Sequence, residues 1–183
     1  GNWELAGNMY SLHTGMTLCS IMRPLTNPKI GDFVCSMRAG INHYNVSREK
    51  GIKPLLHALN KGESIAIVAD QHASRSEGVE VSFFGKPARA HASVALLHLK
   101  TGVPIAPCFL IRKSDGFNFV VKGGPLIEYK PTADKEADIK AVTQMFTDAI
   151  ENVIRQYPEQ WLWAHRRWLY CNRKKRKENT ENA

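Results

Sequence analysis

The spacing of apolar residues along the chain alternates between the repeat of buried strands and that of amphipathic helices. A continuous apolar run from Ser64 to Ala69 ends at Asp70, a pattern typical of a strand buried on both faces. The clearest helical repeat precedes Tyr157-Pro158 and puts six apolar side chains on one face: Ile139, Val142, Phe146, Ala149, Ile150 and Val153. The chain therefore contains both kinds of element.

Weaker patterns predict the remaining elements. Helices are expected over Glu4–His13, Pro28–Arg38, Lys50–Asn60 and Ser93–Lys100. Strands are expected over Met16–Met22, Val79–Phe84, Val103–Ile111 and Phe117–Val121, the last two as a hairpin across Ser114-Asp-Gly116. Strands that alternate with helices predict an α/β layered domain with a mixed, mostly buried β-sheet flanked by helices.

Charge is concentrated at one end of the 183-residue chain. The formal net charge is +8, and much of the excess lies between Arg166 and Lys177. We expect one domain over residues 1–172 and a basic, polar, disordered tail over residues 173–183. The charge is thus a property of the tail and not of the whole surface.

Cysteine and hydropathy patterns exclude several classes of protein. The four cysteines form no CxxC pair and no metal-ligand spacing with histidine, so no metal and no disulfide is expected. No run approaches the roughly 20 apolar residues of a membrane-spanning helix. The chain begins at Gly1 without a methionine and reads as an internal fragment, so a missing anchor says little about the parent protein.

Five segments together carry a family resemblance. In chain order they are Gly1-Asn-Trp-Glu4, Val68-Ala-Asp-Gln71, Phe83-Phe-Gly-Lys-Pro-Ala88, Gly102-Val-Pro-Ile-Ala-Pro107 and Tyr157-Pro-Glu-Gln-Trp-Leu-Trp-Ala-His-Arg-Arg-Trp168. They resemble the lauroyl/myristoyl-type acyltransferases that add secondary acyl chains to lipid A, within the wider glycerolipid acyltransferase superfamily. The resemblance covers nearly the whole chain, and it implies the layered fold of glycerol-phosphate acyltransferases with no cofactor.

The opening segment of that family reads His-x-Gly-Asn-Trp-Glu, and Glu4 matches its acidic residue. The histidine would fall two positions before Gly1, outside this chain. An alcohol needs a general base to attack a thioester, and histidine titrates near neutral pH. The resemblance implies that Glu4 fixes the tautomer of that imidazole and stabilises its protonated form. We expect the chain without this histidine to be inactive.

Two arginines are the candidate cations of the site. Arg38 ends the predicted helix Pro28–Arg38, and Arg48 follows Tyr44-Asn-Val-Ser. Both lie where similar proteins carry arginines close to the catalytic pair. Such a cation can hold a phosphate of the acceptor or stabilise a developing oxyanion. The alternative for each is a surface arginine beside a carboxylate.

Four further residues are candidate substrate contacts. Asp70 and Gln71 end a predicted strand, and in the family this pair sits beside the active site. Gly85, with Lys86 beside it, can let backbone N–H groups approach an anion. A structural role for Asp70 and a plain tight turn at Gly85 are the alternatives.

No other histidine is expected to serve as the base. His13 lies at the wrong end of the first helix, and His72 at the end of a strand can line a groove. Four more are expected near loops or helix surfaces in surface or structural roles: His43, His57, His91 and His98. No serine or cysteine has a nucleophile setting such as G-x-S-x-G, so direct attack in a ternary complex is expected.

Aromatic and cationic residues are mixed near the carboxyl end. Trp161, Trp163 and Trp168 accompany Arg166, Arg167 and the tail, a composition that suits a membrane surface with anionic lipid. Nucleic acid and no partner at all are the alternatives, and we expect no nucleic acid. The rings and cations therefore predict contact with the inner membrane.

The resemblance implies acyl transfer from acyl carrier protein or a coenzyme A thioester to a hydroxyl of a lipid A precursor, at the cytoplasmic face of the inner membrane. One alternative is the same chemistry on another glycolipid, such as a mannosylated phosphatidylinositol. A second is a non-catalytic protein that binds membrane or nucleic acid through residues 161–177. Deleting the residues after Trp168 separates an enzyme from such a binding protein. A protein that binds only through its tail loses all binding, whereas an enzyme keeps some turnover.

Overall fold

The computed structural model describes residues 2–39 and 42–169 and divides them into two compact units. The first unit comprises Asn2–Val68 with Arg112–Val120. The second comprises Ala69–Ile111 with the described chain from Val121 onward. Gly1, Cys171 and the predicted tail lie outside the described residues.

The first unit is built on a three-stranded parallel sheet. Its strands are β1 (Leu18–Met22), β2 (His43–Ser47) and β3 (Ser64–Ala66), in the order β2-β1-β3. Its helices are α1 (Trp3–Thr14), α2 (Pro28–Arg38) and α3 (Lys53–Asn60), with a 3-10 turn at Arg48–Lys50. Parallel strands need crossover connections, and α2 and α3 occupy them.

Local signals place the ends of these helices. Pro28 takes the first position of α2, and the Asn27 side chain accepts a hydrogen bond from the backbone N–H of Lys29. Helix α1 ends at Gly15, whose φ of 69° is left-handed and whose N–H donates to the carbonyl of Ser11. Both helices lie where the sequence predicts them.

Strand β3 differs from its prediction. It has three residues, all partly exposed, and within residues 2–39 and 42–169 it pairs with β1 on one side only. The expectation that residues 64–69 are buried on both faces is therefore wrong, because the run lies at an edge of the sheet. Strand β1 is central instead, and it contains the fully buried Cys19.

The second unit begins with an antiparallel hairpin of β4 (Gly78–Phe83) and β5 (Lys86–His91). The two residues that join them, Phe84 and Gly85, have φ angles of 53° and 69°. Positive φ at both central positions is the geometry of a type I′ turn, whose twist matches that of the strands. The sequence predicted β4, but it did not predict β5.

The remaining elements of the chain follow the hairpin. They are α4 (Ser93–Thr101), β6 (Cys108–Arg112), β7 (Phe119–Gly123) and α5 (Lys135–Gln156). Strands β6 and β7 form a two-stranded sheet. Val142 and Phe146 of α5 are buried, as its apolar repeat predicts. Among the described helices, none has the length and apolar content to cross a bilayer.

The core of the second unit lies on the inner face of the hairpin. Val81, Phe83, Ala88, Ala90 and Ile154 form one buried cluster, and Trp161 and Trp168 pack against it. Inward positions alternate along both strands, as expected for a half-buried sheet. The α/β class is confirmed, with parallel and antiparallel pairs in separate sheets among the described residues.

Candidate active site

The site of the first unit is built on a polar face of α1. Glu4, Asn8 and Ser11 are spaced by four and three residues, so they lie on one side of the helix. Ser11 is 1% exposed and donates to the carbonyl of Asn42, whereas Leu5 and Leu12 are about half exposed. Helix α1 thus turns polar groups towards the rest of the unit.

Glu4 and Arg38, the two predicted catalytic residues, form a bidentate ion pair. Arg38 Nη2 lies 2.5 Å from Glu4 Oε1, and Arg38 Nε lies 2.8 Å from Oε2. The guanidinium also sits 5.1 Å from the ring centre of Trp3. The hydrogen bond with Glu4 raises the pKa of Arg38 above its ordinary value. The structure therefore brings both residues together.

This pairing limits what Arg38 can do in the observed state. Its Nη1 faces the sulfur of Met22 at 3.7 Å, and the side chain is only 14% exposed. The fork that matches a phosphate or an oxyanion is occupied by Glu4. Binding of an acceptor anion by Arg38 stays a prediction. Holding the Glu4 carboxylate is the role that the geometry displays.

His43 lies at the start of β2 and is 6% exposed. Its Nε2 is 2.7 Å from Ser20 Oγ on β1, and its Nδ1 is 2.7 Å from Asn8 Oδ1 on α1. Burial, and secondarily Arg38, lowers the pKa of His43, while Glu4 acts in the opposite direction. The expectation of a loop or helix-surface position for His43 is wrong.

Gly7 makes room for this imidazole. A Cβ atom at residue 7 would lie 2.8 Å from His43 Cε1, closer than real Cβ contacts. Glycine at that turn of α1 is therefore required by the His43 ring that packs against it. The contact joins α1 to the parallel sheet through one polar side chain.

Arg48 lies at the carboxyl edge of the same sheet. It opens the 3-10 turn that follows β2, where the Ser47 side chain accepts a hydrogen bond from the N–H of Glu49, and it is exposed. Ligands of α/β sheets bind at this edge. The position fits the predicted contact with substrate, which stays a prediction.

The predicted substrate residues of the second unit have internal partners. Asp70 Oδ2 accepts a hydrogen bond of 3.0 Å from the indole of Trp161, and the carboxylate attracts Arg167. Arg167 is 1% exposed, donates to the backbone carbonyl of Arg89 and stacks 4.9 Å from the Phe83 ring. Burial lowers the pKa of Arg167 to about 10, so it stays charged at neutral pH.

These contacts give Asp70 a structural role within its unit. Asp70 Oδ1 is buried with no hydrogen-bond partner among the described residues. Gln71, next to it, is exposed. The structural alternative for Asp70 is thus present in the molecule, and contact of either residue with substrate stays a prediction.

Gly85 and Lys86 lie at the hairpin turn. The N–H of Phe84 donates to Glu151 Oε2 at 2.6 Å. A carboxylate of the protein itself therefore lies at the turn where the sequence predicted that backbone N–H groups approach a substrate anion. Gly85 has positive φ, and a Cβ there would meet nothing within 4 Å. The tight-turn alternative explains this glycine, and Lys86 is exposed.

Membership of a family follows from comparison with known proteins. The sequence pattern described as bacterial lipid A biosynthesis acyltransferase matches residues 1–170. The chain belongs to this family. The match includes the first unit with its Glu4–Arg38 pair and the segment of the second unit that ends in Trp168.

Individual members of the acyltransferase family are similar over most of the chain. A phosphatidylinositol mannoside acyltransferase of Mycobacterium tuberculosis is 25% identical over 92% of the chain and 52% of its own length. A lipid A biosynthesis lauroyltransferase of Escherichia coli is 29% identical over 81% of the chain and 47% of its own length. The chain thus spans about half the length of these relatives.

Several residues of this site are not predicted by the sequence. Asn8, Ser20 and His43 are far apart in sequence, and only the pairing of β1 with β2 beneath α1 brings them together. No local motif marks them. Two of the rings assigned to a membrane surface, Trp161 and Trp168, pack instead on Phe83, with ring centres 5.7 and 5.5 Å away.

Proposed function

We propose that the full-length protein transfers a fatty acyl chain from an acyl carrier protein or coenzyme A thioester to a hydroxyl of a lipid A precursor. The observation that carries the proposal is the family match over residues 1–170, together with the Glu4–Arg38 pair at the family's opening motif. Relatives named lipid A biosynthesis acyltransferases support the acceptor.

The proposed mechanism uses Glu4 as the partner of a histidine two positions before Gly1. That histidine removes the proton of the attacking hydroxyl, and Glu4 accepts its other N–H. Arg38 fixes the carboxylate with two hydrogen bonds, while 49% of the Glu4 side chain remains exposed. A carboxylate has about four acceptor sites, so the pairing leaves room for an imidazole.

A second acceptor is favoured by one group of relatives. Phosphatidylinositol mannoside acyltransferases match 92% of the chain, against 81% for the lauroyltransferase. The same base and acid would then act on a hydroxyl of a mannosylated phosphatidylinositol. Mass spectrometry of lipids from a deletion strain decides: loss of one acyl chain from lipid A supports the first acceptor, and intact lipid A refutes it.

The reaction is proposed to take place at the cytoplasmic face of the inner membrane. Leu162 and Trp163 support this, because they are 66% and 48% exposed and precede the cationic run of residues 166–177 in the sequence. Aromatic and aliphatic side chains at headgroup depth, with cations on anionic lipid, are typical of interfacial binding.

The sharpest test of the mechanism is Glu4→Gln in the full-length protein. The amide keeps the size of the side chain but cannot stabilise an imidazolium, so we expect turnover to fall by about 10²–10⁴-fold. Half of the Glu4 side chain is exposed, so the free energy of unfolding should change by only about 0.2–1 kcal/mol. Glu49→Gln, an exposed isosteric control in the same unit, should leave turnover unchanged. Near-normal turnover of Glu4→Gln would demote Glu4 to a structural residue.

A further inference from the structure

The hydrogen bonds around His43 determine which of its nitrogens carries the proton. Asn8 Nδ2 donates to the backbone carbonyl of Met37 at 3.2 Å, so Asn8 Oδ1 is the atom that faces His43. An amide oxygen only accepts, and His43 Nδ1 must therefore be the donor. In the neutral ring Nε2 then carries a lone pair, and it accepts the hydroxyl proton of Ser20 at 2.7 Å.

This arrangement is that of an activated nucleophile. A hydroxyl lies within hydrogen-bond reach of an imidazole, and a third group orients that imidazole through its other nitrogen. Ser20 is partly exposed, whereas His43 is 6% exposed and enclosed by α1 and the sheet. The base is therefore enclosed, whereas the hydroxyl-bearing Ser20 and the positioning residue Asn8 are both partly exposed.

The surroundings of the imidazole favour its basic form. Burial lowers the pKa of His43 most, the positive charge of Arg38 lowers it further, and the charge of Glu4 acts in the opposite direction. Asn45 is the register partner of Ser20 on β2, and its buried Oδ1 has no hydrogen-bond partner among the described residues. An acceptor atom on the strand beside Ser20 suits the hydroxyl of an incoming water molecule.

We propose that Ser20, with His43 as its base and Asn8 as the positioning residue, is a second acyl-accepting centre that takes the acyl group of a thioester. Ser20 Oγ attacks the thioester carbonyl while His43 Nε2 takes the hydroxyl proton. The C–S bond breaks, and the thiolate leaves with that proton as a free thiol. Water then cleaves the Ser20 ester by the same route, releasing the fatty acid and restoring the serine hydroxyl.

The identification of a thioester as the acyl donor rests on the proposed function, whereas the reactivity of Ser20 as a nucleophile does not. The two are therefore tested separately. An alkyl fluorophosphonate reacts with activated serines whatever their natural substrate, and palmitoyl-coenzyme A tests the donor. Transfer to lipid by the full-length protein is a third measurement. It can fail or succeed without affecting the reaction of Ser20.

The first experiment treats the full 183-residue chain with the fluorophosphonate and follows intact mass. We expect one adduct per chain, mapped by peptide digestion to Ser20. Ser20→Ala should give no adduct. His43→Gln should react at least about 100-fold more slowly than wild type, since a general base accelerates such a reaction by about 10²–10⁴-fold. Ser64→Ala is the matched control, because Ser64 lies on β3 and is bonded to Tyr10 and not to a histidine.

The second experiment uses palmitoyl-coenzyme A on the same proteins. We expect a mass increase of one acyl group on Ser20 in samples quenched with acid during the reaction, and free thiol and palmitate released in equal amounts over repeated turnovers. A wild-type chain that is folded by circular dichroism and takes neither label on Ser20 overturns the inference. So does a label on another residue, or a fluorophosphonate adduct without acylation. Mapping on wild type decides even if Ser20→Ala does not fold.

Discussion

Replacing Phe83 by alanine should be among the most destabilising single changes in the second unit. Phe83 is 0% exposed, and its ring contacts those of Phe84, Trp161 and Trp168 at centre distances of 4.9, 5.7 and 5.5 Å. The guanidinium of Arg167 stacks on it as well. Removing the ring deletes the centre of the cluster and leaves a cavity beneath the carboxyl-terminal segment.

The magnitude follows from the burial. Truncation of a buried phenylalanine to alanine costs about 3–5 kcal/mol, the lost transfer free energy plus the cavity. Each aromatic pair contributes about 0.5–1.5 kcal/mol beyond its buried area, which favours the upper end. With a denaturant slope of about 2 kcal/mol per molar urea, the unfolding midpoint should fall by about 2 M.

Tryptophan fluorescence during urea unfolding is the assay, because Trp161, Trp163 and Trp168 report directly on the cluster. Phe117→Ala is the matched control: it deletes the same ring at a side chain that is 88% exposed, and it should change stability by less than about 0.5 kcal/mol. A loss for Phe83→Ala below about 1 kcal/mol, or equal to that of the control, would refute the assigned packing.

Three further results are expected. Gly7→Ala should cost about 1–3 kcal/mol, since its Cβ would press on His43 at 2.8 Å, whereas Gly31→Ala in α2 meets only Leu25 at 3.9 Å and should be neutral or stabilising in urea unfolding. Burial and Arg38 lower the pKa of His43 in the folded protein, so on acidification this histidine is protonated in the unfolded chain before it is protonated in the folded one. The His43 contribution to stability should therefore be complete above about pH 6.5 and be lost as the pH falls through the pKa of the folded protein. In His43→Gln the urea midpoint should fall less between pH 7.5 and pH 5.5 than it does in wild type. The control is His57→Gln, which changes an exposed histidine and should leave the fall unchanged. Gly85→Ala should lower the free energy of unfolding by about 1 kcal/mol, because the backbone φ of 69° at this position favours glycine. An unchanged urea midpoint would contradict the turn assignment.

The sequence predicts helices of this chain better than its strands, for a physical reason. Helix α2 has the predicted bounds because Asn27, Pro28 and Arg38 are local signals for its two ends. Strand β2 was missed because His43, Asn45 and Ser47 are polar, although the alternation puts them on one side. They face other polar groups, so no apolar repeat marks the strand.

Strand β5 and the site show the same limit. Residues Lys86–His91 contain a proline and two cations, and their inward side chains are only Ala88 and Ala90. These are small enough to lie beneath Trp161 and Trp168, and small residues carry little pattern. Glu4 was found because the family's opening motif names it, and Arg38 because similar proteins carry arginines close to the catalytic pair. Their hydrogen-bonded pairing is a product of the fold.

Two separate sets of polar side chains thus meet at the polar face of α1, the pair Glu4–Arg38 and the group Asn8–His43–Ser20. Glu4 is half exposed and held by Arg38, which suits a carboxylate that is proposed to accept a hydrogen bond from an imidazole. His43 is buried and already hydrogen-bonded on both nitrogens, so it does not fill that proposed role. Both sets depend on α1, because Glu4 and Asn8 are one turn apart. A shift of α1 should therefore disturb both at once. Gly7→Ala, which displaces His43 without touching Glu4, separates the two.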